Sequence, residues 1–230
     1  MIEKSKTGVE GLDEMLYGGF PKGYSVFLTG TAGSGKTTLS MQFLTEGSKE
    51  GEAGIYISFE EPPEQIVQDF SVFDSEINQL ISTGKIKVVS LPLSSIENLK
   101  EEIESEIDAS NIKRLVLDSV SYLRIFFPDS FSYRRAIIDL INLFKKKSVT
   151  SILIGEIPYG FNSLSDTGVE EFASDGVIVL NTIQKQDTFI RSIKIVKMRG
   201  TKFLNKLCPY EFVENKGIIV YPNAEVFAEM

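Results

Sequence analysis

The 230-residue chain contains no histidine and no tryptophan, and its only cysteine is Cys208. Without imidazole there can be no Ser-His-Asp triad, no Cys-His pair and no histidine-held metal. A lone thiol excludes an intramolecular disulfide and a thiolate zinc cluster, and it reads most simply as a small buried hydrophobe. No apolar run approaches the ~18 residues a membrane-crossing helix needs. Residues 1–10 also lack the charged-then-apolar pattern of a secretory leader, so the expectation is a cytoplasmic protein without membrane contact. Basic residues are in deficit, 24 Lys and Arg against 32 Asp and Glu, for a net charge of −8. Such a chain is not coated for non-specific nucleic-acid binding, and any contact with DNA must come from placed residues.

What is present is an ordinary globular composition, 42% apolar, with no linker, low-complexity tract or repeat. A chain of this length can bury a sizeable core, and residues 1–230 are expected to form one domain. Short aliphatic runs alternate with amphipathic stretches. Strands are expected at Tyr24–Thr29, Gly54–Phe59, Ile86–Ser90, Arg114–Asp118 and Thr150–Ile154. Helices are expected from Lys36 to about Ser48, after Pro62-Pro63, over Ile96–Ile107 and over Tyr133–Lys147. The Lys145–Lys147 run reads as a solvated helix end that complements the dipole. The pattern then changes to Gly176–Asn181, Ile190–Lys197, Tyr210–Val213 and Ile218–Tyr221, with little helix between. The fold class is α/β, a mostly parallel sheet of βαβ units with an antiparallel, β-rich C-terminal edge.

Residues Gly30-Thr31-Ala32-Gly33-Ser34-Gly35-Lys36-Thr37 match G-x-x-x-x-G-K-[ST] in full, followed by Thr38. The glycines let backbone N–H groups converge on phosphate oxygens, Lys36 neutralises the β- and γ-phosphates, and Thr37 offers a hydroxyl to Mg²⁺. The motif lies between a predicted strand and a predicted helix, as this chemistry requires. ATP with Mg²⁺ is the implied ligand. A second metal-anchoring carboxylate is expected at Asp118, where an apolar strand ends in the ligand crevice of a parallel sheet. Glu60-Glu61 follows another strand end and could position water for hydrolysis, or could be a solvated turn capping the next helix. Which of the two would be the base stays open. Glu156, after the strand Thr150–Ile154, is a candidate γ-phosphate sensor.

Together these residues resemble the KaiC/RadA branch of the RecA superfamily. The lead-in Lys6-Thr7-Gly8-Val9-Glu10-Gly11-Leu12-Asp13 is similar to the family's T-G-x-x-x-[LF]-D, and Phe59-Glu60-Glu61 to the paired catalytic glutamates of KaiC. Gly168–Asp175 resembles the segment before the sheet-edge strand, and Lys197-Met198-Arg199-Gly200-Thr201 resembles K-[LM]-R-G-[TS]. The resemblance spans about residues 5–222 and implies an ATPase in which Lys197 and Arg199 reach the ATP of a neighbouring subunit in a ring or head-to-tail homo-oligomer. Circadian KaiC has two tandem cores where this sequence has one. Its autophosphorylating half carries hydroxyls where this chain has Glu170 and Glu171. With about five residues before the core, the sequence is more similar to single-core archaeal KaiC-like proteins and RadA paralogues than to RadA recombinases.

In RecA-type cores two loops face single-stranded DNA. The first corresponds to Ser121–Arg135, where Arg124, Phe126, Phe127, Phe131, Tyr133, Arg134 and Arg135 interleave rings with cations. Such a mixture suits base stacking with phosphate contact, and also suits the packing of a core or subunit interface. The second, Ile157–Gly168, has Tyr159 and Phe161 but no Lys or Arg. The expectation is a Mg²⁺-dependent ATPase acting on single-stranded DNA as a recombination or repair accessory, beside a RadA-type recombinase. The alternative is a KaiC-like signalling or assembly switch without DNA.

Overall fold

The structure is a computed structural model that describes residues 2–91, 95–127, 129–157, 164–165, 168–185 and 188–226. In chain order the elements are β1 (Lys4–Ser5), α1 (Leu12–Met15), β2 (Phe20–Pro21), β3 (Ser25–Gly30), α2 (Lys36–Lys49) and β4 (Ala53–Ser58). Then come α3 (Pro63–Phe70), α4 (Ile77–Ser82), β5 (Ile86–Ser90), α5 (Ile96–Ser110), β6 (Ile112–Asp118) and α6 (Ser130–Lys146). The chain continues through β7 (Thr150–Glu156), α7 (Val169–Ala173), β8 (Gly176–Lys185), β9 (Thr188–Met198), β10 (Cys208–Val213) and β11 (Gly217–Val220).

A nine-stranded sheet has the order β11-β10-β9-β8-β3-β7-β6-β4-β5. Pairings from β8 through β5 are parallel, and those joining β8, β9, β10 and β11 are antiparallel. This is the α/β architecture expected from the sequence. Central strands are buried on both faces, so their side chains alternate between two cores. Val26, Leu28, Tyr56 and Val116 face the core with Leu39, Phe43 and Ile66 of α2 and α3. Phe27, Ile55, Ile57, Leu115 and Leu117 face the other, with Leu99, Ile103, Ile137 and Phe144 of α5 and α6. Cys208 is fully buried in the first core, as its isolation suggested.

Two helix readings are revised. Helix α6 begins at Ser130 rather than Tyr133, because the Asp129 carboxylate accepts the N–H groups of Phe131 and Ser132. Its lysine run is not merely solvated. Lys145 Nζ lies 2.8 Å from Asp175 Oδ1, and Lys147 bridges to Glu104 and Asp108 at 2.8 and 2.7 Å. A buried ion network lies below the sheet, where the fully enclosed Arg114 guanidinium meets Glu50 and Glu52, each at 2.6 Å. Its remaining donor, Nη1, reaches the carbonyls of Lys6 and Phe43. Gly47 makes room, since a Cβ there would overlap Arg114 Cδ.

Candidate active site

The loop between β3 and α2 carries the glycine motif at the carboxyl end of the central strand. Gly33 and Gly35 have φ of 72° and 91°, left-handed values that L side chains rarely adopt. A Cβ at Gly35 would also lie 2.6 Å from the Phe212 ring. Tyr210 reaches across from β10 and donates its hydroxyl to the Ser34 carbonyl at 2.5 Å. The Lys36 ammonium donates to the carbonyls of Gly30 at 2.9 Å and Thr31 at 3.1 Å, which folds the loop around it. Burial lowers its pKa, while the charges of Glu156, Asp118 and Glu61 oppose that shift.

A cleft of about 550 Å³ opens above this loop. Its polar end gathers Lys36, Thr37, Thr38, Glu60, Glu61, Asp118 and Glu156, and its apolar end is lined by Ile66, Phe70, Phe73 and Phe212. Strand register explains the convergence. Ser58, Asp118 and Ile154 lie level across three parallel strands, and Gly30 pairs with Glu156. Glu60 and Glu61 follow directly from β4. Their turn is held by Ser58, whose hydroxyl accepts the Glu61 N–H and donates to the Glu61 carbonyl. The Glu60 carboxylate accepts a hydrogen bond from Ser119 at 3.2 Å.

One residue escaped the sequence reading. Tyr56, in the middle of β4, donates its hydroxyl to the Asp118 carboxylate. It therefore anchors one of the two groups expected to hold a metal. A lone tyrosine in an otherwise aliphatic strand was its only signal. Burial raises the Asp118 carboxyl to about 6, and the hydrogen bond from Tyr56 works against that rise. The Phe73 and Phe212 rings, stacked 5.7 Å apart at the apolar end, also carried no recognisable motif.

Lys197 and Arg199 lie elsewhere. β8 runs parallel to β3, and β9 returns antiparallel, so Met198 pairs with Gly176 beside Val26. The pair therefore sits toward the amino end of β3, with Lys197 level with Phe27 and Arg199 level with Ser25, so that Arg199 is five residue steps, or roughly 16 Å along the strand direction, from Gly30. Arg199 Nη1 approaches Asp175 at 3.5 Å, and Lys197 donates to the carbonyls of Glu171, Phe172 and Ser174.

The arginine-aromatic segment proves to be a 3₁₀ turn, Val120–Phe126, and the first turns of α6. Tyr133 is not a stacking platform. It is 1% exposed, and its hydroxyl donates to the buried Glu170 carboxylate at 2.5 Å. Phe127 is half-buried and packs against Tyr133, while Arg124 lies over the Tyr133 ring. Phe126 and Phe131 remain 40% and 76% exposed, beside the exposed Arg134 and Arg135. Tyr159 and Phe161 of the second expected loop lie outside the described residues.

The family described as ATPase: KaiC matches residues 5–225. The chain belongs to this KaiC ATPase family. A UPF0273 protein of Aeropyrum pernix is 33% identical over 243 residues, covering 98% of this chain and 96% of that protein. The circadian clock protein KaiC3 of Synechocystis is 32% identical over 239 residues, covering 99% of this chain and 47% of the relative. The chain thus spans about half the length of the circadian clock proteins it matches. The crystal structure of a KaiC-like protein from Pyrococcus horikoshii superposes with a TM-score of 0.88 at 35% identity, covering 96% of this chain and all of that one. The RecA-superfamily fold follows. Among the described residues no helix is long and apolar enough to cross a membrane.

Proposed function

We propose that the chain is a Mg²⁺-dependent ATPase whose sites are shared between copies, acting as a nucleotide-driven assembly switch. The observation that carries this reading is the separation just described. One cleft gathers Lys36, Thr37, Glu60, Glu61 and Asp118, while the arginine of the Lys197–Thr201 segment sits at the opposite end of β3. Lys36 would bind the β- and γ-phosphates, and Thr37 with Asp118 would hold the metal through oxygen ligands. Among the described residues no three carboxylates or thiols cluster to hold a metal alone, so nucleotide oxygens would complete the shell. When bound, the metal would neutralise charge on the phosphates. Glu60 or Glu61 would orient water and accept its proton. Arg199 would complete the site of an adjoining copy.

The test mixes two inactive proteins, Arg199→Ala and the double variant Glu60→Gln/Glu61→Gln. Shared sites predict that ATPase activity reappears on mixing. If the mixture stays dead although the subunits exchange, or if Arg199→Ala alone is fully active, the shared-site reading fails.

The exposed Phe126 and Phe131 beside Arg134 and Arg135 favour a second reading, contact with single-stranded DNA, for which a RadA-type recombinase is the expected partner. Titration with a single strand at two salt concentrations tests it. Phosphate contact leaves a salt slope that Arg134→Ala/Arg135→Ala should flatten. No binding at either concentration would remove it.

A further inference from the structure

The phosphate loop leans on the β10–β11 hairpin, which comes from far along the chain. Ser34 is fully buried, although Gly33 and Gly35 on either side of it line the cleft. Both of its backbone polar groups have partners. Its N–H donates to the Thr31 carbonyl at 3.2 Å, and its carbonyl accepts the Tyr210 hydroxyl at 2.5 Å, across 176 residues of sequence. Tyr210 is itself 2% exposed, and its ring meets Phe212 edge-on at 6.2 Å. Burial raises the pKa of this phenol, which keeps the hydroxyl a neutral donor. Phe212 and Ile218 press on the next loop residue, since a Cβ at Gly35 would lie 2.6 and 2.9 Å from them.

The hairpin is also stapled to the helix that the loop opens. Gln42, in the second turn of α2, reaches with Nε2 to the carbonyls of Lys216 at 3.0 Å, Ile218 at 3.2 Å and Gly8 at 3.3 Å. Its Oε1 accepts the Ile218 N–H at 2.8 Å. Gly217 has φ of 80°, and a Cβ there would overlap the Gln42 amide. Loop, helix and hairpin therefore pack as one unit.

A trans peptide is planar, and its C=O and N–H point in opposite directions. Holding the Ser34 carbonyl in the core against Tyr210 therefore turns the Gly35 N–H toward the cleft that Gly35 lines. Such N–H groups are what a phosphate loop offers to its ligand. Glycine on both sides of Ser34 leaves the backbone otherwise free to rotate that peptide.

We infer that Tyr210 is a positioning residue for nucleotide binding, its hydroxyl setting the Ser34–Gly35 peptide so that the Gly35 N–H faces the phosphates before they arrive. This rests on the reading of the cleft as an ATP site. It gives the β10–β11 hairpin a part in that site which no motif in β10 announces.

The experiment compares Tyr210→Phe, which deletes one hydroxyl and keeps the ring, with Ile107→Val, which deletes one methyl from the core on the other face of the sheet. The two losses are similar in size, so each variant should melt about 2–4 °C below the parent. Nucleotide binding, followed with fluorescent ATP and its displacement by ADP, and steady-state kinetics are read well below those temperatures. Tyr210→Phe should raise the Kd of ATP about fivefold and that of ADP by the same factor, because ADP keeps the β-phosphate. Its KM should rise in step while kcat stays within about twofold, the signature of binding lost equally from ground and transition states. Ile107→Val should bind both nucleotides as the parent does. A merely structural loss in Tyr210→Phe would instead lower kcat through a smaller folded fraction and leave KM alone.

Parental affinities in Tyr210→Phe, weaker binding of ATP without weaker binding of ADP, or a lower kcat at unchanged KM would each overturn the inference. So would an equal weakening in Ile107→Val. If the parent binds neither nucleotide, or if Lys36→Ala binds ATP as tightly as the parent, the underlying reading of the cleft is what has failed.

Discussion

Replacing Arg114 by methionine should be among the most damaging single changes outside the cleft. The guanidinium is 0% exposed and supports four hydrogen bonds, to the Glu50 and Glu52 carboxylates and to the carbonyls of Lys6 and Phe43. Its carbon centre also lies 4.7 Å from the Phe43 ring centroid. Removing one partner of a buried ion pair costs about 3–5 kcal/mol, because the other charge is left without compensation. Domains have only about 5–15 kcal/mol in total. At about 2–4 °C per kcal/mol for this size, the melting temperature should fall by roughly 6–20 °C. Lysine at the same position should recover little, since one ammonium cannot span two carboxylates and two carbonyls. Neutralising the orphaned acids with Glu50→Gln/Glu52→Gln in the methionine background should recover part of the loss. The pH dependence gives an internal check. Burial pushes the Glu52 carboxyl up, but the hydrogen bond and charge of Arg114, with help from Lys22, bring it below its ordinary value. A carboxyl held low in the folded state stabilises above its unfolded pKa, near 4.3, and loses that contribution as pH falls through the lower folded value. The gap between parent and variant should therefore narrow on acidification below about pH 4. Thermal melts by circular dichroism across pH 3.5–8 measure both quantities. A shift under about 3 °C, or a gap that widens in acid, would refute the reasoning.

Lys36→Ala should reduce turnover at least about a hundredfold and weaken nucleotide binding, since it deletes the charge beneath the phosphates. Steady-state ATPase assays and equilibrium binding check both. Glu60→Gln/Glu61→Gln should bind ATP normally yet hydrolyse it slowly, so that bound ATP persists when followed by chromatography of the bound nucleotide. A parental rate would move the base to Glu156. Tyr56→Phe should cost about 1–2 kcal/mol of stability and weaken Mg²⁺-dependent ATP binding. That hydrogen bond holds the Asp118 pKa down, so losing it raises the pKa further and the binding defect should be larger at pH 6 than at pH 8. Equal defects at the two pH values would separate Tyr56 from Asp118.

The parallel half of the sheet could be read in advance because strands such as β3 and β6 are apolar on both faces and end in loops of recognisable chemistry. The phosphate loop and Asp118 were legible for the same reason, since motif and strand end coincide. Tyr133 was misread because a ring beside arginines looks the same in sequence whether it meets solvent or, as here, a carboxylate 37 residues away. The α6 start was displaced because its cap precedes the first helical apolar residue. Strand β8 runs longer than its apolar signal, since Thr182 and Gln184 extend it past Asn181 with polar residues. Lys145 looked like a solvated helix end because its partner, Asp175, is joined to it only by the fold.

The roughly 16 Å along the direction of β3 that separates Arg199 from the end of that strand has an arithmetic consequence. A subunit that can use both ends enters two sites, one through its glutamates and one through its arginine. A subunit lacking only Arg199 spoils a single site, so adding it to the parent should lower total activity in direct proportion to its fraction. One lacking Arg199, Glu60 and Glu61 together spoils two, and the surviving sites then vary as the square of the parental fraction. With half the subunits of that kind, about one quarter of the sites remain, whatever the number of copies in the closed assembly. Dose curves of the two variants, one straight and one curved, would count the sites each chain serves without any knowledge of how many chains come together.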